Sequence, residues 1–238
     1  MDTNWTEILD QYIHKIVSPD GRQTYESKEK LIDTILTLAQ LKDTDKVIDI
    51  GCGWGNFTKI CGELADNVIG IEPNLDNLKE AKKCTYSGNV EYIQGSFEKL
   101  NYNQKANKIV SMLAFHQVPW KDKEKALKNI YDILEKDGQF FLCDTMIMFN
   151  PKKNPKLFDK VYRYLLKETT PNEIYIQYIE PYLQDDVIYS IEDMKENTPE
   201  ETMFYLLEEL DFWAKKANLK LIKTIEICPF FGVVVFQK

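Results

Sequence analysis

Apolar residues change their spacing several times along the chain, and each change predicts an element. Trp5, Ile8, Leu9, Tyr12, Ile13, Ile16 and Val17 recur at helical spacing, which predicts an amphipathic helix ended by a turn at Ser18, Pro19, Asp20 and Gly21. A second helix is predicted from near Ser27, with Leu31, Ile32, Ile35, Leu36 and Ala39 on its apolar face. From Lys46 to Thr145 the period alternates. Short apolar runs near 46–50, 67–71, 90–94, 108–112 and 139–145 are separated by helical stretches near 56–65, 74–84 and 121–135. This alternation predicts an α/β fold, a parallel sheet with helices on both faces. Two further strand-like runs between Leu219 and Phe236 break at Cys228 and Pro229, and so short a connection favours an antiparallel hairpin.

Before that hairpin lies a helical insertion, roughly 150–218, with two helix candidates. The later one is predicted to start with Thr198 as N-cap, Pro199 at its first position and Glu201 completing a capping box. Its residues Phe204, Leu207, Leu210, Trp213 and Ala214 would then face the body of the protein. The division that follows is an N-terminal helical cap over 1–45, a core formed by 46–150 with 219–238, and a candidate substrate lid over 151–218.

The most informative run is Val47-Ile48-Asp49-Ile50-Gly51-Cys52-Gly53-Trp54-Gly55, an apolar strand holding an acid and then a G-x-G-x-G turn. Such a turn lets backbone amides approach a ligand and opens a helix whose first N–H groups face the same place. Asn56 stands where the dinucleotide fingerprint G-x-G-x-x-G has its third glycine, which weakens a pyrophosphate reading. A second apolar strand, Val68-Ile69-Gly70-Ile71-Glu72, ends in a carboxylate able to take ribose hydroxyls. In open α/β sheets ligands bind outside the C-terminal strand ends, where Gly51, Glu72, Ser96 and His116 all fall.

Together these residues resemble the class I S-adenosylmethionine-dependent methyltransferases, from about Leu31 to Phe149 and again in the last strands. The resemblance implies a doubly wound Rossmann-like sheet, mostly parallel, with an antiparallel C-terminal strand. It implies S-adenosyl-L-methionine as cofactor, with Asp49 and the backbone of Gly51, Cys52, Gly53 and Gly55 at the methionine part. Glu72 would hold the ribose and Ser96 and Phe97 would border the adenine, with Pro73, Gly95 and Leu113 as further cofactor contacts. Tyr25 is the candidate for the donor's carboxylate. Ser96 and Asn107 are departures, since many relatives carry Asp at each position. His116, Gln117, Trp120, Tyr162 and Tyr178 are the candidate acceptor contacts. His116 is also the candidate general base, because an imidazole titrates near neutrality.

Composition narrows the acceptor. A net charge of −8 disfavours a nucleic-acid substrate. Residues 168–211 hold thirteen Asp or Glu against one base, Lys195, a field that would favour a cationic small-molecule acceptor if it is more than a solvated face. Five cysteines without a C-x-x-C pair suit a reducing compartment and offer no metal-ligand spacing. With no signal-peptide run and no long apolar segment, a cytoplasmic protein without membrane contact is expected. The function expected is methyl transfer to a small molecule by in-line displacement. The alternatives are a protein- or tRNA-directed methyltransferase, or an inactive module that only binds the cofactor. The acceptor atom and the oligomeric state stay open.

Overall fold

A computed structural model describes residues 16–17, 24–25, 28–85, 88–198 and 204–238. The first pair corrects the expected N-terminal helix at its end: β1 (Ile16–Val17) pairs antiparallel with β2 (Thr24–Tyr25). Both β1 residues are β-branched, stiff at χ1 and better suited to a pleated ribbon than to a helix. The rest of that helix, and the turn at 18–21, lie outside the described residues. The next helix, α1 (Lys28–Ala39), runs as expected and buries Leu31, Ile32, Ile35 and Ala39.

The core is one seven-stranded sheet. Its members are β3 (Lys46–Ile50), β4 (Asn67–Glu72), β5 (Val90–Gln94), β6 (Ala106–Met112), β7 (Leu134–Thr145), β8 (Lys220–Cys228) and β9 (Phe231–Gln237). They lie in the order β5-β4-β3-β6-β7-β9-β8, and β9 runs antiparallel to both of its neighbours. The helices α2 (Asn56–Gly62), α3 (Leu75–Cys84) and α4 (Lys123–Ile133) make the crossovers.

Period-two alternation divides each strand between two cores. Val47, Val68, Val110 and Phe141 join Leu31, Ile35 and Phe57 on one face, while Ile48, Ile69, Ile109 and Leu142 join Leu127, Ile130 and Leu210 on the other. Chain order reverses between β3 and β6, so a ligand crevice opens at their C-terminal ends. Asn107 belongs to the opposite end. Its Oδ1 accepts from the Lys46 amide (2.8 Å) and its Nδ2 donates to Asp45 Oδ1 (2.6 Å), pinning β6 to the start of β3. The departure from Asp at this position is therefore a matter of strand register, at the end of the sheet away from the glycine turn.

The insertion contains more helix than the two candidates. It holds α5 (Pro155–Thr169), a turn at Asn172–Ile174 leading into a π-helical turn at Tyr175–Ile179, then α6 (Ile191–Asn197) and α7 (Leu207–Lys216). Phe158, Val161, Tyr162 and Leu165 form the buried stripe of α5. Thr198 does not start the last helix. Its amide donates to Met194 O (2.9 Å) and closes α6, while Pro199 and Glu201 lie outside the described residues. The starts are set elsewhere, by a Ser190/Asp193 capping box on α6 and by Glu209, whose Oε2 accepts from the Leu206 amide (2.9 Å) ahead of α7.

Candidate active site

The turn after β3 is shaped by three left-handed glycines, Gly51 (φ 78), Gly53 (φ 54) and Gly55 (φ 76). The amides of Gly51 and Cys52 both donate to Ile71 O (2.8 and 3.1 Å), which ties the turn to the end of β4. A Cβ on Gly51 would run into the Ala114 side chain, and one on Gly55 into the Tyr92 hydroxyl. Gly51→Ala combines that clash with a disfavoured φ, and it should cost about 2–4 kcal/mol in urea unfolding. A loss below about 0.5 kcal/mol, the scatter of ordinary surface changes, would contradict this account of the turn.

Two acids flank the turn. Asp49, 2% exposed in the middle of β3, accepts from Thr58 Oγ1 at 2.6 Å. Burial pushes its carboxyl up to about 7, the Thr58 hydroxyl opposing and the charge of Glu72 adding to the rise. Glu72, 6% exposed at the end of β4, is held on both oxygens. Oε2 accepts from the Gly53 amide (3.0 Å), and Oε1 accepts from the Asn74 amide and Asn77 Nδ2 (both 3.1 Å). Asn77 in turn accepts from Trp54 Nε1 at 2.9 Å, so turn, acid and the start of α3 form one network.

An adenosyl sulfonium compound fits this donor set. It is cationic at the sulfonium and at its ammonium, and the turn brings two buried carboxylates and a close backbone to one place.

The other expected cofactor residues are arranged as follows. Cys52 is half-buried, and burial raises its thiol well above the ordinary range. Pro73 is exposed; Gly95 is buried, with Leu100 O where a side chain would be. Ser96 stays in its own turn, its Oγ and carbonyl accepting from the Lys99 amide (3.2 Å each). Phe97, 5% exposed, meets Phe115 edge to face at 5.3 Å. Leu113 adopts φ 56, an uncommon conformation for a bulky side chain and one that clusters at functional sites. Tyr25 belongs to β2, and its side chain lies outside the described residues.

Just beyond Leu113, the segment that packs Ala114 against Gly51 also carries His116. Its Nδ1 lies 2.6 Å from Asp144 Oδ1 at the end of β7. Asp144 is fully buried, and it also accepts from the Thr145 amide (2.9 Å, Oδ1) and from the Tyr205 hydroxyl (2.9 Å, Oδ2). Beside them Lys123, also fully buried, donates to Phe115 O at 3.0 Å. Its ammonium sits 4.7 Å from the Phe115 ring centre and 4.6 Å from that of Tyr205. Burial lowers its pKa to about 8, partly offset by the charges of Asp144, Glu98 and Glu209.

Of the remaining acceptor candidates, Gln117 is exposed. Trp120 stands edge-on to Trp213 (5.3 Å), with Lys195 4.7 Å from its ring centre. Tyr162 is 2% exposed and stacks on Phe158 at 6.0 Å, whereas Tyr178 is 63% exposed. Sequence reasoning missed Asp144, Tyr205 and Lys123. Asp144 carried a readable signal, an acid closing the buried run Phe140 to Cys143, as Glu72 closes its own strand. Lys123 sits in the polar stretch Lys121 to Lys125 and offered none.

A crossover sheet with a glycine turn at its switch point and an acid at the end of the next strand defines a cofactor-binding α/β enzyme. The comparisons say which. Residues 48–142 match the methyltransferase domain model. An uncharacterised methyltransferase of Staphylococcus carnosus is 32% identical over 180 residues, 73% of this chain and 84% of the relative. One from Oceanobacillus iheyensis is 33% identical over 146 residues, 60% of this chain and 64% of the relative. Among solved structures, a candidate sarcosine dimethylglycine methyltransferase of Galdieria sulphuraria aligns with a TM-score of 0.66 over 100% of this chain and 98% of its own. It is 13% identical, a likeness of fold alone. The chain belongs to the class I S-adenosylmethionine-dependent methyltransferases, and S-adenosylmethionine is its cofactor. Among the described residues no helix is long and apolar enough to cross a membrane.

Proposed function

We propose that this protein transfers the methyl group of S-adenosylmethionine to a small-molecule acceptor, with Asp49, Glu72 and the glycine turn holding the donor and His116 facing the acceptor. The observation that carries this reading is the packing of Ala114 against Gly51, which sets His116 two residues from the donor turn. The donor supplies an activated methyl group. The protein's part is to hold the two reactants in line and keep water out.

The insertion takes part in this reading as the acceptor side of the cleft. It lends Tyr205 to Asp144, and Lys195 and Trp213 to Trp120. Its acids are mostly exposed. Several are engaged locally, as Asp193 is with Ser190 and Glu209 with Lys195 (2.7 Å), and the remainder gives a negative rim that favours cationic over anionic acceptors.

The test is a screen of small amines, phenols, thiols and carboxylates with methyl-labelled donor. Turnover of small amines or hydroxyl compounds is expected, with carboxylates poorest. A preference for carboxylates would end the electrostatic part of the proposal, and labelling of a protein or an RNA in place of every small compound would end the rest.

A further inference from the structure

We infer that Asp144 is a positioning residue which fixes His116 with Nδ1 protonated and Nε2 bare, and that the methyl acceptor therefore arrives with a proton the enzyme has to remove, as a hydroxyl or an ammonium does. The inference rests on the proposed function for the statement that His116 faces the acceptor. The tautomer itself does not depend on it.

The argument begins with what Asp144 accepts. Two donors, the Thr145 amide and the Tyr205 hydroxyl, meet this fully buried carboxylate, and His116 Nδ1 lies 2.6 Å from its Oδ1. A carboxylate only accepts, so Nδ1 must carry the proton, and in a neutral ring that leaves the lone pair on Nε2. The ring cannot swing away without abandoning a buried anion, which is costly. Lys123, in contact with the Tyr205 ring, supplies the compensating positive charge. The charges around it come from β7 (Asp144), the loop after β5 (Glu98) and α7 (Glu209), with Lys195 of α6 bound to Glu209.

Acid, oriented imidazole and an adjacent reaction site make up a general base assembly. A base assembled at this expense suits an acceptor that must lose a proton. A thiolate or a carboxylate arrives already deprotonated and needs none.

The step balances as follows. The acceptor's lone pair forms the new bond to the methyl carbon as the carbon–sulfur bond breaks, and that electron pair stays on sulfur, giving the neutral thioether. The acceptor's proton goes to His116 Nε2, from a hydroxyl as its oxygen attacks and from an ammonium beforehand, which frees the lone pair on nitrogen. The resulting imidazolium is paired with the Asp144 carboxylate and then releases the proton to solvent.

The chain has two histidines, His14 and His116, so imidazole nitrogen NMR can read the tautomer directly, with His116→Gln assigning the signals. The full-length wild type at pH 8 is expected to show His116 protonated at Nδ1. Asp144→Asn, whose amide can donate to the ring, should move the proton to Nε2. Tyr205→Phe removes only the donor to the other carboxylate oxygen and should leave the proton on Nδ1; Asp144→Ser, which takes away the carboxylate altogether, should leave a measurable mixture and covers the case in which Asp144→Asn does not fold. An Nε2–H ring in the wild type, or a tautomer that no folded Asp144 variant disturbs, overturns the positioning role.

On whichever hydroxyl or amine compound turns over, Asp144→Asn should lower kcat about 100-fold, within the span usual for a lost proton-transfer group. Added imidazole should partly restore His116→Ala, and Asp144→Asn made within His116→Ala should cost less than about twofold more, since the two act as a unit. A thiol or carboxylate methylated at a rate that His116→Ala leaves unchanged overturns the acceptor class. Calorimetry with S-adenosylmethionine keeps the two readings apart: a wild type that fails to bind the donor defeats the proposed function and leaves the tautomer result standing.

Discussion

Glu72→Ala will bind S-adenosylmethionine at least about 100-fold more weakly than the wild type by titration calorimetry, a loss of about 2.7 kcal/mol. Two effects add. The first is the loss of a charged acceptor for a ribose hydroxyl, and hydrogen bonds to charged groups contribute about 1.5–3 kcal/mol each. The second is local, because Glu72 accepts from the Gly53 and Asn74 amides and from Asn77, which in turn holds Trp54. Truncation takes the acceptor away from the Gly53 and Asn74 amides and slackens the glycine turn. The free protein should lose about 1–3 kcal/mol as well, the cost of unsatisfied partly buried donors. Glu72→Gln separates the two contributions. It keeps the volume, yet its NH2 must face either the Gly53 amide or the Asn74 amide and Asn77, and its one remaining oxygen is uncharged. Affinity within about threefold of wild type in folded Glu72→Ala would remove the ribose role.

Much of this arrangement was legible in the chain, for physical reasons that differ from element to element. The inner strands were visible because buried parallel strands are continuous apolar runs, and Lys46 to Ile50 begins and ends where the sequence pattern places it. The antiparallel β9 was visible because its connection to β8 is too short for a crossover. The glycine turn and its two acids were visible because left-handed backbone and close approach demand glycine.

What escaped depended on competing pairings, some local and some across long stretches of chain. Thr198 has a capping pattern in sequence, but the amide it offers closes the helix before it. Ile16 and Val17 fit an apolar helical stripe equally well, and pairing with Thr24 and Tyr25 decides otherwise. Lys123 reads as one more lysine on a polar helix. Its burial follows from the rings of Phe115 and Tyr205, the second of which comes from 82 positions further along. The same holds for Asp144, a plain strand-end acid until His116 and Tyr205 are brought to it by the fold.

Asp49 is expected to set the pH range in which the donor binds. Burial holds its carboxyl near 7, so close to neutrality a large fraction is protonated in the free protein. A cation placed beside it favours the anion, and binding must therefore expel a proton wherever Asp49 begins protonated. Affinity for S-adenosylmethionine is expected to be flat above about pH 8 and to fall by up to about tenfold per pH unit below 7, with proton release seen as a buffer-dependent heat. In Asp49→Asn the affinity should be weaker above pH 7 and the pH dependence should vanish.

Stability moves the opposite way. Because the folded pKa lies above the unfolded one, the native state holds more protons than the unfolded chain between about pH 4 and 7. The contribution of Asp49 to stability is then full below pH 4 and is lost as pH rises through 7. Asp49→Asn should accordingly be more stable than the wild type at pH 8, by about 1–3 kcal/mol in urea unfolding. That figure is the cost of an ionised buried carboxylate less that of a buried amide whose N–H groups lack partners. Thr58 can still donate to the Asn oxygen, so the local packing is kept. A wild-type donor affinity unchanged from pH 5 to 8, together with an Asp49→Asn protein no more stable than wild type at pH 8, would show that this acid is neither burdened by its burial nor coupled to the donor.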